Sequence, residues 1–212
     1  MPELQFTPDD HKYLADSREL PSVTRILTAV GLYKDWEKFG LDIRYRQRGQ
    51  AVHHYCQHHD SVGEQALHPE IQPYFNQFVE CKKMLGFVPR VWELPLFDTR
   101  RSYAGTPDLL AECRDEIWLI DLKSGSVPKR VGAQLCGYED LFFNGEFADR
   151  PGLDKDWIAW ARQNRGKFRR KSIQLGTGAG PGKVRQYDGN EPMVDWRSSL
   201  RVYQIWVEDG RS

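Results

Sequence analysis

At Val88 the spacing of apolar residues changes, and no other feature of the sequence constrains the fold as strongly. Upstream, apolar side chains recur at helical spacing. PSVTRILTAVGL puts Val23, Ile26, Leu27 and Val30 on one helix face, with Ser22 as a cap after Pro21 and Gly31 as a stop. A second helical region runs from about Lys34 into RYRQRGQAVHHYCQHH. A third, PEIQPYFNQFVECKKMLGF, carries an apolar stripe of Ile71, Phe75, Phe78, Val79 and Leu85. Before these helices, Phe6, Tyr13 and Leu14 read as a short hairpin around polar turns. Downstream of Val88, the runs VWELPLF, YAGTPDLLAEC and EIWLIDLKSG are rich in β-formers, with charged or glycine-containing breaks between them. The spacing then predicts a helix over residues 132–143, short strands at SIQLG and KVRQYD, and a closing helix in DWRSSLRVYQIWVE. Asp195 would cap that last helix, with Trp196, Leu200, Tyr203 and Trp206 at helical spacing. The fold class expected is α/β, as one domain, since 212 residues can bury a core without staples.

Composition excludes more than it selects. Lys and Arg number 30 and Asp and Glu number 30, so any surface for a polyanion must come from local clusters. Cys56, Cys81, Cys113 and Cys136 stand singly with no C-x-x-C pair, which argues against a zinc ribbon and a disulfide framework and gives no support for an iron–sulfur cluster. They read as reduced, packed thiols. No stretch approaches the roughly 18 apolar residues of a membrane span, and Glu3, Asp9 and Asp10 do not suit a signal peptide. A soluble, intracellular protein with no membrane partner is expected.

The strands YAGTPDLLAEC and EIWLIDLKSG are separated by Arg114-Asp115. A turn centred on that pair sets Asp108 opposite Asp121. A four-residue loop with the same centre keeps this register, whereas a three-residue loop shifts it by one, and Arg-Asp is not a favoured type I′ pair. Opposed Cβ atoms lie about 4.5–5.5 Å apart, where two carboxylates repel by roughly 3 kcal/mol at an effective dielectric near 20. A cation between them removes that penalty. Strand alternation puts Lys123 on the face of Asp121, while Trp118, Ile120 and Leu122 point the other way into the core. Two hard carboxylates suit Mg²⁺ or Mn²⁺ alongside phosphate and water, and a neighbouring ammonium can orient that water or screen the phosphate.

GTPDLL followed by IDLKSG resembles the core of the PD-(D/E)XK nucleases. RGQAVH at residues 48–53 resembles the R-G-x-x-x-H segment of the RecB-like branch, and QLCGY at residues 134–138 resembles its Q-x-x-x-Y motif. The three occur in family order, and the layout is similar to nucleases of phages and prophages. The resemblance implies a restriction-endonuclease-like core with a central mixed sheet flanked by helices. It divides the chain into a mainly helical part (1–87), a catalytic core (88–143), an insertion with a basic run (144–170) and closing strands and helix (171–212). It implies one or two Mg²⁺ or Mn²⁺ ions held by His53, Asp108, Asp121 and the backbone carbonyl of Leu122, with Lys123 assisting the nucleophile and Glu93, in VWELPLF, holding a second metal or its water. Gln134 and Tyr138, i,i+4 on one helix face, are able to present an amide and a phenol to a nucleic-acid strand. Gly49 permits close backbone approach one turn before His53. The activity implied is a DNA exonuclease of phage-type recombination or DNA processing, in the cytoplasm of a bacterial or phage-infected cell. Its partners would be DNA and a recombination or single-strand-annealing protein, and it would be able to form an oligomer.

Each residue also has a plainer reading. Asp108, Asp121 and Lys123 are otherwise surface residues flanking a turn. His53 is followed by His54, His58 and His59, which a solvated helix face also explains. Gln134 and Tyr138 suit ordinary helix packing. RQNRGKFRRK at residues 162–171 holds six Lys or Arg in ten positions, and Arg165, Lys167, Arg169, Arg170 and Lys171 suit phosphate neutralisation with Phe168, Trp157 and Trp160 as stacking groups. The alternative is a solvated loop. Arg44, Arg46 and Arg48 form a second basic stripe, in which Arg48 doubles as an ion-pair candidate. TGAGPG at residues 177–182 lacks the Lys-Ser/Thr of a phosphate loop and reads as a hairpin tip. Two further functions stay open: a structure-selective or restriction-type endonuclease on the same fold, and a non-catalytic nucleic-acid-binding subunit.

Overall fold

The computed structural model describes residues 4–7, 12–33, 43–62 and 67–208. Three short antiparallel strands open it: β1 (Leu4–Thr7), β2 (Lys12–Ala15) and β3 (Arg18–Leu20). Asp16 and Ser17, both with left-handed φ, make the β2–β3 turn, so the expected hairpin has a third strand. In α1 (Val23–Ala29) Ser22 caps by accepting from the Arg25 amide at 3.1 Å, Val23, Ile26 and Leu27 are buried, and Gly31 at φ 79° stops the helix. Next come α2 (Ile43–Gln57), the single turn α3 (His59–Val62) and α4 (Gln72–Leu85). Of the second predicted helix, residues 34–42 lie outside the described residues. On α4, Phe75 and Phe78 are buried as the stripe predicts, but Val79 is 37% exposed and Tyr74 and Cys81 take the inner positions.

Two runs read as single strands are each divided. VWELPLF becomes β4 (Val88–Trp92) and β5 (Leu96–Asp98) in different sheets, because Glu93 takes φ 42° and turns the chain between them. YAGTPDLLAEC becomes β6 (Tyr103–Gly105) and β7 (Leu109–Cys113), broken around Pro107, which has no amide to give a ladder. There follow β8 (Glu116–Lys123), α5 (Val131–Asn144), β9 (Glu146–Phe147), α6 (Lys155–Gln163), β10 (Phe168–Gln174), β11 (Lys183–Gln186) and α7 (Glu191–Val202), which widens into a π-helical turn at its end. The closing helix thus starts before Asp195, with Pro192 in its first turn, and Asp195 pairs with Arg130 at 2.8 Å instead of capping. Residues 177–182 lie between β10 and β11, which pair antiparallel.

The central sheet runs β11-β10-β8-β7-β4, with β10 parallel to β8 and the other neighbours antiparallel; β6-β5-β9 form a smaller sheet. Helices flank the central sheet. Leu110, Ile117 and Leu119 pack against Val23, Leu135 and Trp196 of α1, α5 and α7, while Ala111, Trp118, Ile120 and Leu122 pack against Val52, Cys56 and Phe78 of α2 and α4. Both faces of β8 are therefore core, not only the face of Trp118, Ile120 and Leu122. Doubly covered strands read as nearly continuous apolar runs, and in β8 Asp121 and Lys123 are the interruptions.

Residues 144–170 run into the central sheet. Their last three open β10, whose Phe168 pairs with Ile117, so the segment is the crossover that delivers a central strand beginning upstream of SIQLG. The four cysteines are buried and free. Among the described residues no helix is long and apolar enough to cross a membrane.

Candidate active site

The β7–β8 hairpin turns through Arg114 and Asp115, with Arg114 at φ 54°. Leu109 pairs with Ile120 and Cys113 with Glu116, the register expected from a turn on that centre, so Asp108 enters β7 level with Asp121. Asp108 is tied down by its own carboxylate: Oδ2 accepts from the Leu122 amide at 2.6 Å, and Oδ1 lies 3.5 Å from Nδ1 of His53. His53 comes from α2 and places Nε2 3.1 Å from the Leu122 carbonyl. One turn earlier Gly49 lets α2 approach the end of β8, since a Cβ there would lie 3.3 Å from Oγ of Ser124.

Asp121 is 2% exposed. Its Oδ1 accepts from Nζ of Lys123 at 2.7 Å, and its Oδ2 is buried with no hydrogen-bond partner. Burial pushes this carboxyl up to about 6, and the neighbouring Asp108 adds to the shift while Lys123 and His53 oppose it. For Lys123, burial pulls the ammonium down, but the attraction of Asp121 and Asp108 outweighs it and holds the group above its ordinary value. It stays charged.

Behind the lysine stands a polar cluster from α1, the turn that follows it and α5. Oε1 of Gln134 faces Lys123 Nζ at 3.4 Å and accepts from the Tyr33 hydroxyl at 2.9 Å; its Nε2 donates to Tyr138 at 2.9 Å and to Thr24 at 3.3 Å. Burial raises the Tyr33 and Tyr138 phenols well above their ordinary range, with Asp121 adding to both. Gln134 and Tyr138 are 5% and 7% exposed and lie on one helix face as their spacing predicts, where the pair buttresses Lys123. Gly105 lies against the Tyr138 ring, where a Cβ would approach to 2.8 Å. Tyr33 and Thr24 were not legible as site residues. The only local signal was the Gly31 stop, after which the amides of Leu32 and Tyr33 fold back onto the Leu27 carbonyl.

Glu93 stands beside this group through its backbone, donating its amide to the Asp108 carbonyl at 2.9 Å; its side chain is half-buried. The basic run lies elsewhere. Arg169 and Arg170 pair with Trp118 and Leu119, toward the opposite end of β8 from Lys123. Its charges are largely engaged: Arg169 with Glu116 at 3.0 Å, Arg170 with Glu139 at 3.5 Å, Lys171 over the Trp118 ring, Lys167 over Trp160 and Arg165 over Phe143. Arg48 stacks on Tyr45 and Tyr74, with Nε buried and unpartnered.

Among the described residues no three His, Cys, Asp or Glu side chains converge as a ready-made ligand shell. The donor set nevertheless fits a hard divalent cation. An anionic oxygen is buried without a partner beside a second carboxylate, and a histidine paired with that carboxylate also meets the Leu122 carbonyl. No family model matches the chain, and no curated protein matches it.

Proposed function

We propose that this chain is a Mg²⁺- or Mn²⁺-dependent deoxyribonuclease of the PD-(D/E)XK type, in its RecB-like, phage-type branch, and that it acts as an exonuclease in recombination or DNA processing. The observation that carries this reading is the grouping of His53, Asp108, Asp121 and Lys123 at one end of the β7–β8 hairpin, with Oδ2 of Asp121 buried and unsatisfied. His53, Asp108, Asp121 and the Leu122 carbonyl would hold the ion. Bound there, it would supply positive charge to a phosphodiester oxygen and lower the pKa of the attacking water. Lys123, fixed between Asp121 and Gln134, keeps an ammonium where it can orient that water or screen the phosphate.

The test is release of nucleotides from end-labelled linear DNA with Mg²⁺ or Mn²⁺. Native protein is expected to release them, and Asp121→Ala to be at least a hundredfold slower, since removal of a single charged catalytic group costs about that much or more. Equal inertness of both proteins, with DNA still bound, would leave a non-catalytic binding subunit. Cutting of covalently closed circles at the rate of linear DNA would make the enzyme an endonuclease.

A further inference from the structure

We propose that the cavity of about 380 Å³ between α5, α7 and β10 binds a phosphate group at a site separate from Asp121. Under the function proposed above, on which this part rests, the phosphate belongs to the backbone of the same nucleic-acid strand.

Arg165, Arg170 and Arg197 line this cavity together with Glu139 and, on the apolar side, Met193. Three guanidiniums therefore face one carboxylate. Arg170 is the fixed member: it donates to the Gly189 carbonyl at 3.0 Å and to the Cys136 thiol, and lies 3.5 Å from Glu139. Arg165 stacks on Phe143 and stands 3.9 Å from the same carboxylate. Glu139 is thus shared by two arginines. Arg197, exposed on α7, makes no hydrogen bond or ion pair among the described residues. Planar guanidinium forks around a concavity with uncompensated positive charge match a phosphate better than they match any group the cavity itself supplies.

The cavity also lies near the candidate active site along the sheet. Arg170 and Ser172 share one face of β10, and Ser172 is the strand partner of Asp121. Two residues of strand separate Arg170 from that position, about 7 Å. Tyr187 stands between them, its hydroxyl 3.0 Å from Oγ of Ser172.

The probe is a fluorescent single-stranded oligonucleotide, titrated by polarisation over a range of salt in EDTA so that no turnover intervenes. Arg165 and Arg197 are both exposed and are the residues to change; Arg170 is left alone because it supports its neighbours. In Arg165→Ala/Arg197→Ala, log K against log salt is expected to be shallower by about 1.4, the loss of two single-strand phosphate contacts, with at least about tenfold weaker binding at low salt. Arg197→Lys should recover most of the slope. Arg197→Glu alone repeats the test should the double variant melt early. Competition by a nucleoside monophosphate and by inorganic phosphate separates the sources. Native-only binding of the mononucleotide, with an unchanged oligonucleotide slope, assigns the cavity to a free phosphate compound and still supports a phosphate site. Unchanged binding of all three probes in the variants overturns the proposal. A protein that degrades DNA normally while the variants keep the native slope and the native binding of both phosphate competitors defeats this inference alone. An inert protein whose slope changes defeats the nuclease reading alone.

Discussion

Burying the Asp121 carboxyl with one oxygen on Lys123 and the other unpaired costs on the order of 1–3 kcal/mol relative to a satisfied group. A ligand that satisfies that oxygen binds the folded state only, and so stabilises it. At a hundredfold excess over its dissociation constant, Mg²⁺ or Mn²⁺ is expected to add about 2.7 kcal/mol to unfolding, measured by urea denaturation with and without the ion. Asp121→Asn should lose that increment while staying folded. Equal stabilisation of the two proteins would rule out Asp121 as a ligand. Asp108, Asp121 and Lys123 were legible in the sequence because hairpin register and strand alternation are short-range rules. Tyr33 and Thr24 were not, since they meet Gln134 across 101 and 110 residues of chain and no local pattern marks either.

Helix α5 carries Gln134 and Tyr138 into the site because its glycines let it lie close to its neighbours. A Cβ on Gly137 would come within 2.7 Å of Cγ1 of Val23 and 3.2 Å of the Trp196 ring, so α1, α5 and α7 meet at this one position. Gly137→Ala gains about 1 kcal/mol of helix propensity but overpacks a filled junction, at a cost of about 1–3 kcal/mol. A net loss is expected in urea unfolding, reduced when Val23→Ala is added; full additivity of the two changes would mean that the contact is not the cause. Elements were legible where one period holds over a whole segment, as in α1, α4 and α5. The division of VWELPLF was not, because periodicity does not register the left-handed backbone of Glu93. Nor was the start of β10. Its charges suited phosphate neutralisation or a solvated loop rather than a strand, yet Arg169 is held by Glu116 and Lys171 lies over Trp118.

Across the molecule, a buried acidic group links the smaller sheet to the helical layer. Asp140 of α5 accepts from Tyr103 at 2.8 Å, from Asn144 at 2.8 Å, from Arg101 and from the Trp196 indole, while Asp98 holds Arg101 at 2.8 Å. Burial pushes the Asp140 carboxyl up, but the Tyr103 hydrogen bond and the charge of Arg101 outweigh it, so the group lies below the ordinary value of 3.8. A depressed carboxyl stabilises the fold above its ordinary value and loses that contribution as pH falls through the depressed one. Asp140→Asn is therefore expected to be about 2 kcal/mol less stable at pH 7, with the gap to native protein closing below about pH 4. A gap that stays constant down to pH 2.5 would show that the charge contributes nothing. The placing of β8 between β7 and β10 has a temporal consequence. Its first neighbour is the other arm of a hairpin, while its second arrives only after the whole crossover through α5 and α6. At roughly 5–20 residues per second of synthesis, the strand bearing Asp121 spends seconds as an open sheet edge, and such an edge recruits any passing strand. The nascent chain is thus exposed to aggregation at the strand that carries Asp121 and Lys123.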